Sequence, residues 1–115
     1  MKVYGIANCN TVKSARAWLD KHGKSYEFVD YKKIAPTPEL LARWCAAFGW
    51  ENVLNRRGTT WRMLETAVQN GISNERSAIA LMLAKPSIIK RPIVESGKSL
   101  LLGFDEKEFA SKLRS

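Results

Sequence analysis

Histidine occurs once in this chain and cysteine twice, which leaves neither a set of soft ligands for a zinc site nor a disulfide framework. A bound metal is not expected. Long apolar runs are also missing: the longest, Ala78 to Ala84, is far too short to span a bilayer. Met1-Lys2-Val3 leads straight into strand-like sequence without a signal-peptide apolar core, so the expected location is the cytoplasm and no membrane partner is expected. Acidic residues are in deficit, 11 against 19 Lys and Arg, for a net charge of +8 and a pI near 9.8. That balance suits an anionic small molecule or nucleic acid. No basic run exceeds two residues, however, so no nucleic-acid-binding arm is visible, and direct nucleic-acid binding is not expected because it would rest on charge alone. The 115 residues suffice for one domain with a single core, and no repeat or low-complexity segment divides them.

What the chain does have is a cysteine at a structural junction. The apolar run Val3 to Ile6 reads as a buried strand, and the segment after it has Asn8 or Asn10 available to cap a helix in which Val12, Ala15 and Leu19 recur at helical spacing. Cys9 therefore falls at a helix N-terminus. Unpaired N–H groups and the positive end of the helix dipole favour a thiolate there, and Lys13, about one turn on, adds a cation. The thiolate is the nucleophilic form, so Cys9 is the candidate for covalent chemistry. A cysteine that only packs is the competing reading, and the polar Asn-Cys-Asn-Thr setting speaks against it.

The helix ends at Lys21-His22 before Gly23, where His22 complements the helix C-terminus and is read as structural. Tyr26 to Tyr31 alternates as a second strand, completing a βαβ unit with parallel strands. Thr37-Pro38-Glu39 then starts a helix with apolar face Leu40, Leu41, Trp44, Cys45 and Phe48, which places Cys45 in a core, away from any helix end. A polar, basic connection follows over residues 52–60, with Thr59 or Thr60 capping a helix through Trp61 and Leu64. Another helix starts near Ser73 or Asn74 and must stop before Pro86. From Ser87 to Glu95 the chain enters a strand with a proline at its start, turns at Ser96-Gly97-Lys98 and returns over 99–103. Asp105 with Glu108 opens a closing helix through Phe109 and Leu113.

Three stretches in this order resemble the arsenate reductase (ArsC)/Spx family of thioredoxin-like proteins, and most closely its YffB-type branch. They are Tyr4-Gly5-Ile6 with Asn8 to Arg16, then Asn55-Arg56-Arg57-Gly58-Thr59, then Lys85 to Ile93 leading to Gly103-Phe104. The resemblance implies an α/β thioredoxin-like fold (βαβ…ββα) in a single domain, 1–115, with a helical insertion over roughly 37–85 between the second and third strands. It matches Cys9 to the family's nucleophile, Arg91 to the arginine before the family's proline, and Pro92 to that proline, which is cis and faces the cysteine. It places one of Arg56 and Arg57 in the region of another substrate-binding arginine of arsenate reductases, with Asn55 also in the frame. Two departures stand out. No arginine lies between Gly97 and Gly103, where arsenate reductases carry a third oxyanion-binding arginine, and Val12 stands where typical Spx regulators have a second cysteine.

Without a resolving cysteine at the motif, a mixed intermediate on Cys9 must be released by an external thiol, for which glutathione is the expected co-substrate. The residues expected to bind it or the substrate are Asn8, Asn10, Thr11, Lys13, Arg56, Arg57, Arg91 and Pro92, the cations serving its carboxylates. The leading function is a glutathione-dependent thiol–disulfide reductase acting on a small disulfide or oxyanion. The alternatives are an arsenate reductase coupled to glutaredoxin and a non-enzymatic, Spx-like adaptor of RNA polymerase.

Overall fold

Four short strands hold the first and last parts of the chain together in one sheet of order β2-β1-β3-β4. They are β1 (Lys2–Gly5), β2 (Glu27–Asp30), β3 (Ile93–Ser96) and β4 (Ser99–Leu102). β1 runs parallel to β2, through the crossover helix α1 (Asn10–Lys21), and antiparallel to β3. β3 and β4 form the expected hairpin, whose two-residue turn begins at Gly97 with φ 59°, a conformation that glycine adopts without strain. The computed structural model describes residues 1–113, so the last two residues of the expected 1–115 domain lie outside the described residues. The architecture is a thioredoxin-like α/β fold with a helical insertion between β2 and β3.

The described chain divides into two compact units, one made of Met1–Ile34 with the chain from Arg91 onward, the other of Ala35–Lys90. In the first, sheet alternation sends Val3, Val94 and Leu101 to one face. There they pack with Ala15 and Leu19 of α1 and with Phe109 and Leu113 from the closing helix α7 (Glu106–Lys112) and its C-cap. Trp18 and Phe104 meet Phe109 edge to face, at 5.4 and 4.9 Å between ring centroids. Asp105 caps α7 by accepting the Glu108 N–H at 3.0 Å. Burying each such side chain stabilises by about 1.5–3 kcal/mol, which is what fixes α1 across the sheet.

The second unit starts as its sequence predicts: α2 (Pro38–Phe48) has Thr37 as cap, Pro38 at the first position, and Leu41, Trp44 and Cys45 buried. Asn74 and Ser77 form a capping box for α6 (Glu75–Ala84), which buries Ala78, Leu81 and Met82. The connection between them is more helical than its polarity implied. Residues 50–53 form α3 (Trp50–Val53), the extended Gly58 takes the cap position instead of either threonine, α4 (Thr59–Arg62) lasts a single turn, and α5 (Thr66–Asn70) follows separately. The strand expected from Ser87 is also shorter. Pro86–Ile88 is a 3-10 turn, Ile89 makes an isolated bridge to Leu54, and β3 begins only after Pro92, because prolines supply no N–H to a ladder. Among the described residues no helix is long and apolar enough to cross a membrane.

Gly5, the last residue of β1, is packed tightly enough to forbid a side chain: a Cβ there would lie 2.8 Å from Cγ2 of Val12. Val12 is fully buried and β-branched, so it cannot rotate away. Gly5→Ala is expected to lower stability by about 1–3 kcal/mol in urea unfolding, the usual range for overpacking, and Gly5→Ala with Val12→Ala should cost less than the sum of the two.

Candidate active site

The turn that leaves β1 puts Cys9, not Asn8 or Asn10, at the N-cap of α1. Its backbone is extended (φ −144°, ψ 124°), its carbonyl accepts the Lys13 N–H at 2.9 Å, and Asn10 is the first helical residue. Residues 6–8 are used in turning away from the strand, which pushes the cap one position past Asn8. The sulfur makes no conventional capping hydrogen bond. Partial burial pushes the Cys9 thiol up, but this is outweighed by the Val12 amide, by Arg91 as both hydrogen-bond donor and charge, and by the Thr11 amide. The net pKa lies below that of an ordinary cysteine.

Arg91 reaches the sulfur because β3 pairs with β1. Tyr4 lies opposite Ile93, so the residues just before β3 are carried to the end of β1 from which the Cys9 loop departs. The Arg91–Pro92 peptide bond is cis, as the resemblance implies, and Pro92 is buried. The Arg91 Cβ sits 3.7 Å from where a Cβ on Gly5 would be, so glycine there lets the arginine stem lie close to the strand. Asn8, Asn10, Thr11 and Lys13 are exposed around the cysteine. Of the two cations placed near Cys9 in the sequence, it is Arg91 that acts on the thiol.

On the sheet face of Tyr4 lies a polar group that periodicity alone did not single out. The Tyr4 hydroxyl donates to Glu95 Oε1 at 3.0 Å, and Tyr31, just past β2, has its hydroxyl buried within electrostatic reach of Arg91, Tyr4 and Glu95. The only signal in the sequence was that Tyr31 falls two residues after Val29, and so on the same strand face.

Arg56 and Arg57 belong to the helical unit, where with Lys90, Asn52 and Asn55 they line a recess of about 460 Å³ edged by Glu51. Arg56 lies 3.8 Å from Glu51 and 5.8 Å from the Trp50 ring centroid, while the Arg57 N–H is held by Asn55 Oδ1 at 3.1 Å. Both side chains are exposed. His22 stacks on Trp18 at 3.8 Å between ring centroids, the structural place its position indicated. Cys45 is 3 % exposed; burial, and then the Glu75 charge, push its thiol up to about 11. Among the described residues no three His, Cys, Asp or Glu side chains gather as metal ligands would.

The two thiols should therefore behave oppositely. Under limiting iodoacetamide at neutral pH, peptide mapping should find Cys9 alkylated and Cys45 intact. The Cys9 rate should rise with pH and level off through an inflection below the ordinary thiol value of about 8.5, since a lowered pKa leaves more thiolate at a given pH. Labelling at Cys45 first would contradict this assignment.

Known proteins match this chain along nearly its whole length. The model of the ArsC family matches residues 4–111. An uncharacterised protein of Haemophilus influenzae is 38 % identical over 107 residues, covering 93 % of each chain. The global transcriptional regulator Spx 1 of Lactococcus lactis is 26 % identical, covering 96 % of this chain and 87 % of its own. Among solved structures, a YffB protein superposes with a TM-score of 0.94 at 49 % identity, covering 98 % of both chains. An arsenate reductase (ArsC) related protein from Brucella melitensis superposes with a TM-score of 0.75 at 42 % identity, covering 99 % of this chain and 94 % of that one. With its cysteine at the head of α1 and its sheet closed by the β3–β4 hairpin, the chain belongs to the ArsC family.

Proposed function

We propose that this protein is a glutathione-dependent thiol–disulfide reductase whose only nucleophile is Cys9. The observation that carries the reading is the contrast between the cysteines: one partly exposed at a helix N-cap beside Arg91 with a lowered pKa, the other buried with its pKa raised. In the proposed cycle the Cys9 thiolate attacks one sulfur of a small disulfide, forming a mixed disulfide and expelling the other half as a thiolate. A glutathione thiolate then attacks the Cys9 sulfur and expels the second half. A second glutathione frees Cys9 and leaves as glutathione disulfide, so two glutathione thiols are oxidised for one disulfide reduced. Arg91 stabilises each leaving thiolate at this position. Its planar fork, with the Lys13 charge, suits the carboxylates of glutathione. Asn8, Asn10 and Thr11, exposed beside Cys9, complete the proposed binding surface, and the buried Pro92 adjoins it through Arg91.

Arsenate reduction, coupled to glutaredoxin, is the second reading, favoured by similarity to the arsenate reductase related protein of Brucella melitensis. It would use the same thiolate and guanidinium on an oxyanion. Against it, the β3–β4 turn offers Lys98 and no arginine. The third reading, a non-enzymatic regulator, would lack a two-cysteine switch at the motif, because position 12 holds valine, which has no thiol.

Mass spectrometry after treatment with oxidised glutathione tests the reading. One glutathione adduct is expected, on Cys9, in both the wild type and Cys45→Ala, and none in Cys9→Ser, which should also lose all disulfide-reducing turnover. Cys45→Ala should lose only stability, on the order of 1 kcal/mol or more for a small buried group removed. If Cys45→Ala were as inactive as Cys9→Ser, Cys45 would be a resolving cysteine and the single-nucleophile reading would fail.

A further inference from the structure

Tyr31 stands one residue beyond β2, and its N–H donates to the Gly5 carbonyl at 2.8 Å, extending the parallel ladder past the strand. Gly5 is also the residue against which the Arg91 stem packs. Tyr31 and Arg91 thus converge at the end of β1, next to the loop that carries Cys9. The Tyr31 side chain is 2 % exposed, and its hydroxyl oxygen is covered from solvent, as is Nε of Arg91. A phenylalanine would fill the same volume without desolvating a hydroxyl, so a tyrosine here implies polar company. That company is Arg91, Tyr4 and Glu95, the last two joined by the 3.0 Å hydrogen bond from the Tyr4 hydroxyl.

We propose that Tyr31 is a positioning residue, whose buried hydroxyl holds the Arg91 guanidinium in the orientation that faces Cys9. Glu95 and Tyr4 back it from the same face of the sheet. Burial pushes the Tyr31 pKa upward, so the phenol stays neutral. Its hydroxyl dipole lies within electrostatic reach of both the guanidinium and the Glu95 carboxylate. Arg91 has many rotamers and is only partly buried, so a fixed acceptor behind it keeps its charge at the thiolate when no substrate is bound.

The proposal rests on the reading of Cys9 as the nucleophile, and its test does not depend on turnover. The rate of Cys9 alkylation by iodoacetamide is measured across pH in the wild type, Tyr31→Phe, Arg91→Ala and the double variant, each checked by thermal melting. Tyr31→Phe should shift the profile to higher pH, with a several-fold loss of rate at neutral pH and an unchanged alkaline plateau. It should shift nothing further once Arg91 is alanine. A Tyr31→Phe profile superimposable on the wild type, or an equal shift with and without Arg91, overturns the proposal. Should Tyr31→Phe fail to fold, the carbon-13 signal of the Tyr31 phenol carbon decides instead: it should move between the wild type and Arg91→Ala, and an unmoved signal overturns the proposal. Failure to form the glutathione adduct on wild-type Cys9 would remove the reductase reading while leaving these outcomes as they are.

Discussion

A guanidinium held against a cysteine sulfur at the head of a helix is the interaction on which the rest of this structure turns. Each partner alone is ordinary. The helix end supplies amides from Val12 and Thr11, and Arg91 supplies the hydrogen bond and charge; together they outweigh the burial that would otherwise favour the neutral thiol. The contact joins the first turn of α1 to a residue from the last third of the chain. It therefore requires the β1–β3 register, the crossover that seats α1 on the sheet, and a residue without a side chain at position 5. The packing of Phe109, Leu19 and Val94 serves the site by fixing α1 against the strands.

The same logic explains why one thiol is suited to chemistry and the other is not. Cys45 sits on the buried stripe of α2 with Leu41 and Trp44, where no helix end or cation compensates for lost solvation and where Glu75 adds a like charge to any thiolate. Burial alone does not separate the two, because it opposes ionisation at both. What differs is the set of donors aimed at the sulfur, and that set is a property of the fold around Cys9.

Much of this was legible in the residues because it is local. Thr37-Pro38-Glu39, Asn74 and Asp105 are capping signals whose chemistry acts within one helical turn, and each marks the start of the helix it predicts. The cap at Cys9 was off by one because two asparagines flanked it, and only the length of the turn out of β1 selects among the three. The helices of residues 50–70 were hidden for a different reason: they are short, lean on tertiary contacts such as the Gln69 side chain bonding the Trp61 carbonyl at 2.8 Å, and carry little periodicity of their own. The meeting of Arg91 with Cys9 is the long-range product of strand register. No spacing encodes it, so it entered through the family resemblance. Tyr31 escaped both routes, since its alternation marks a buried strand position and says nothing of which charge it faces.

The central claim, that Arg91 lowers the pKa of Cys9, is tested most directly by titrating the thiolate absorbance of Cys9 across pH in the wild type, Arg91→Ala and Arg91→Lys, each in a Cys45→Ala background. Arg91→Ala should move the titration to higher pH. Arg91→Lys should recover much of that shift, because it keeps the charge while losing the planar fork. Three superimposable curves would contradict the account and leave the helix end alone to support the thiolate.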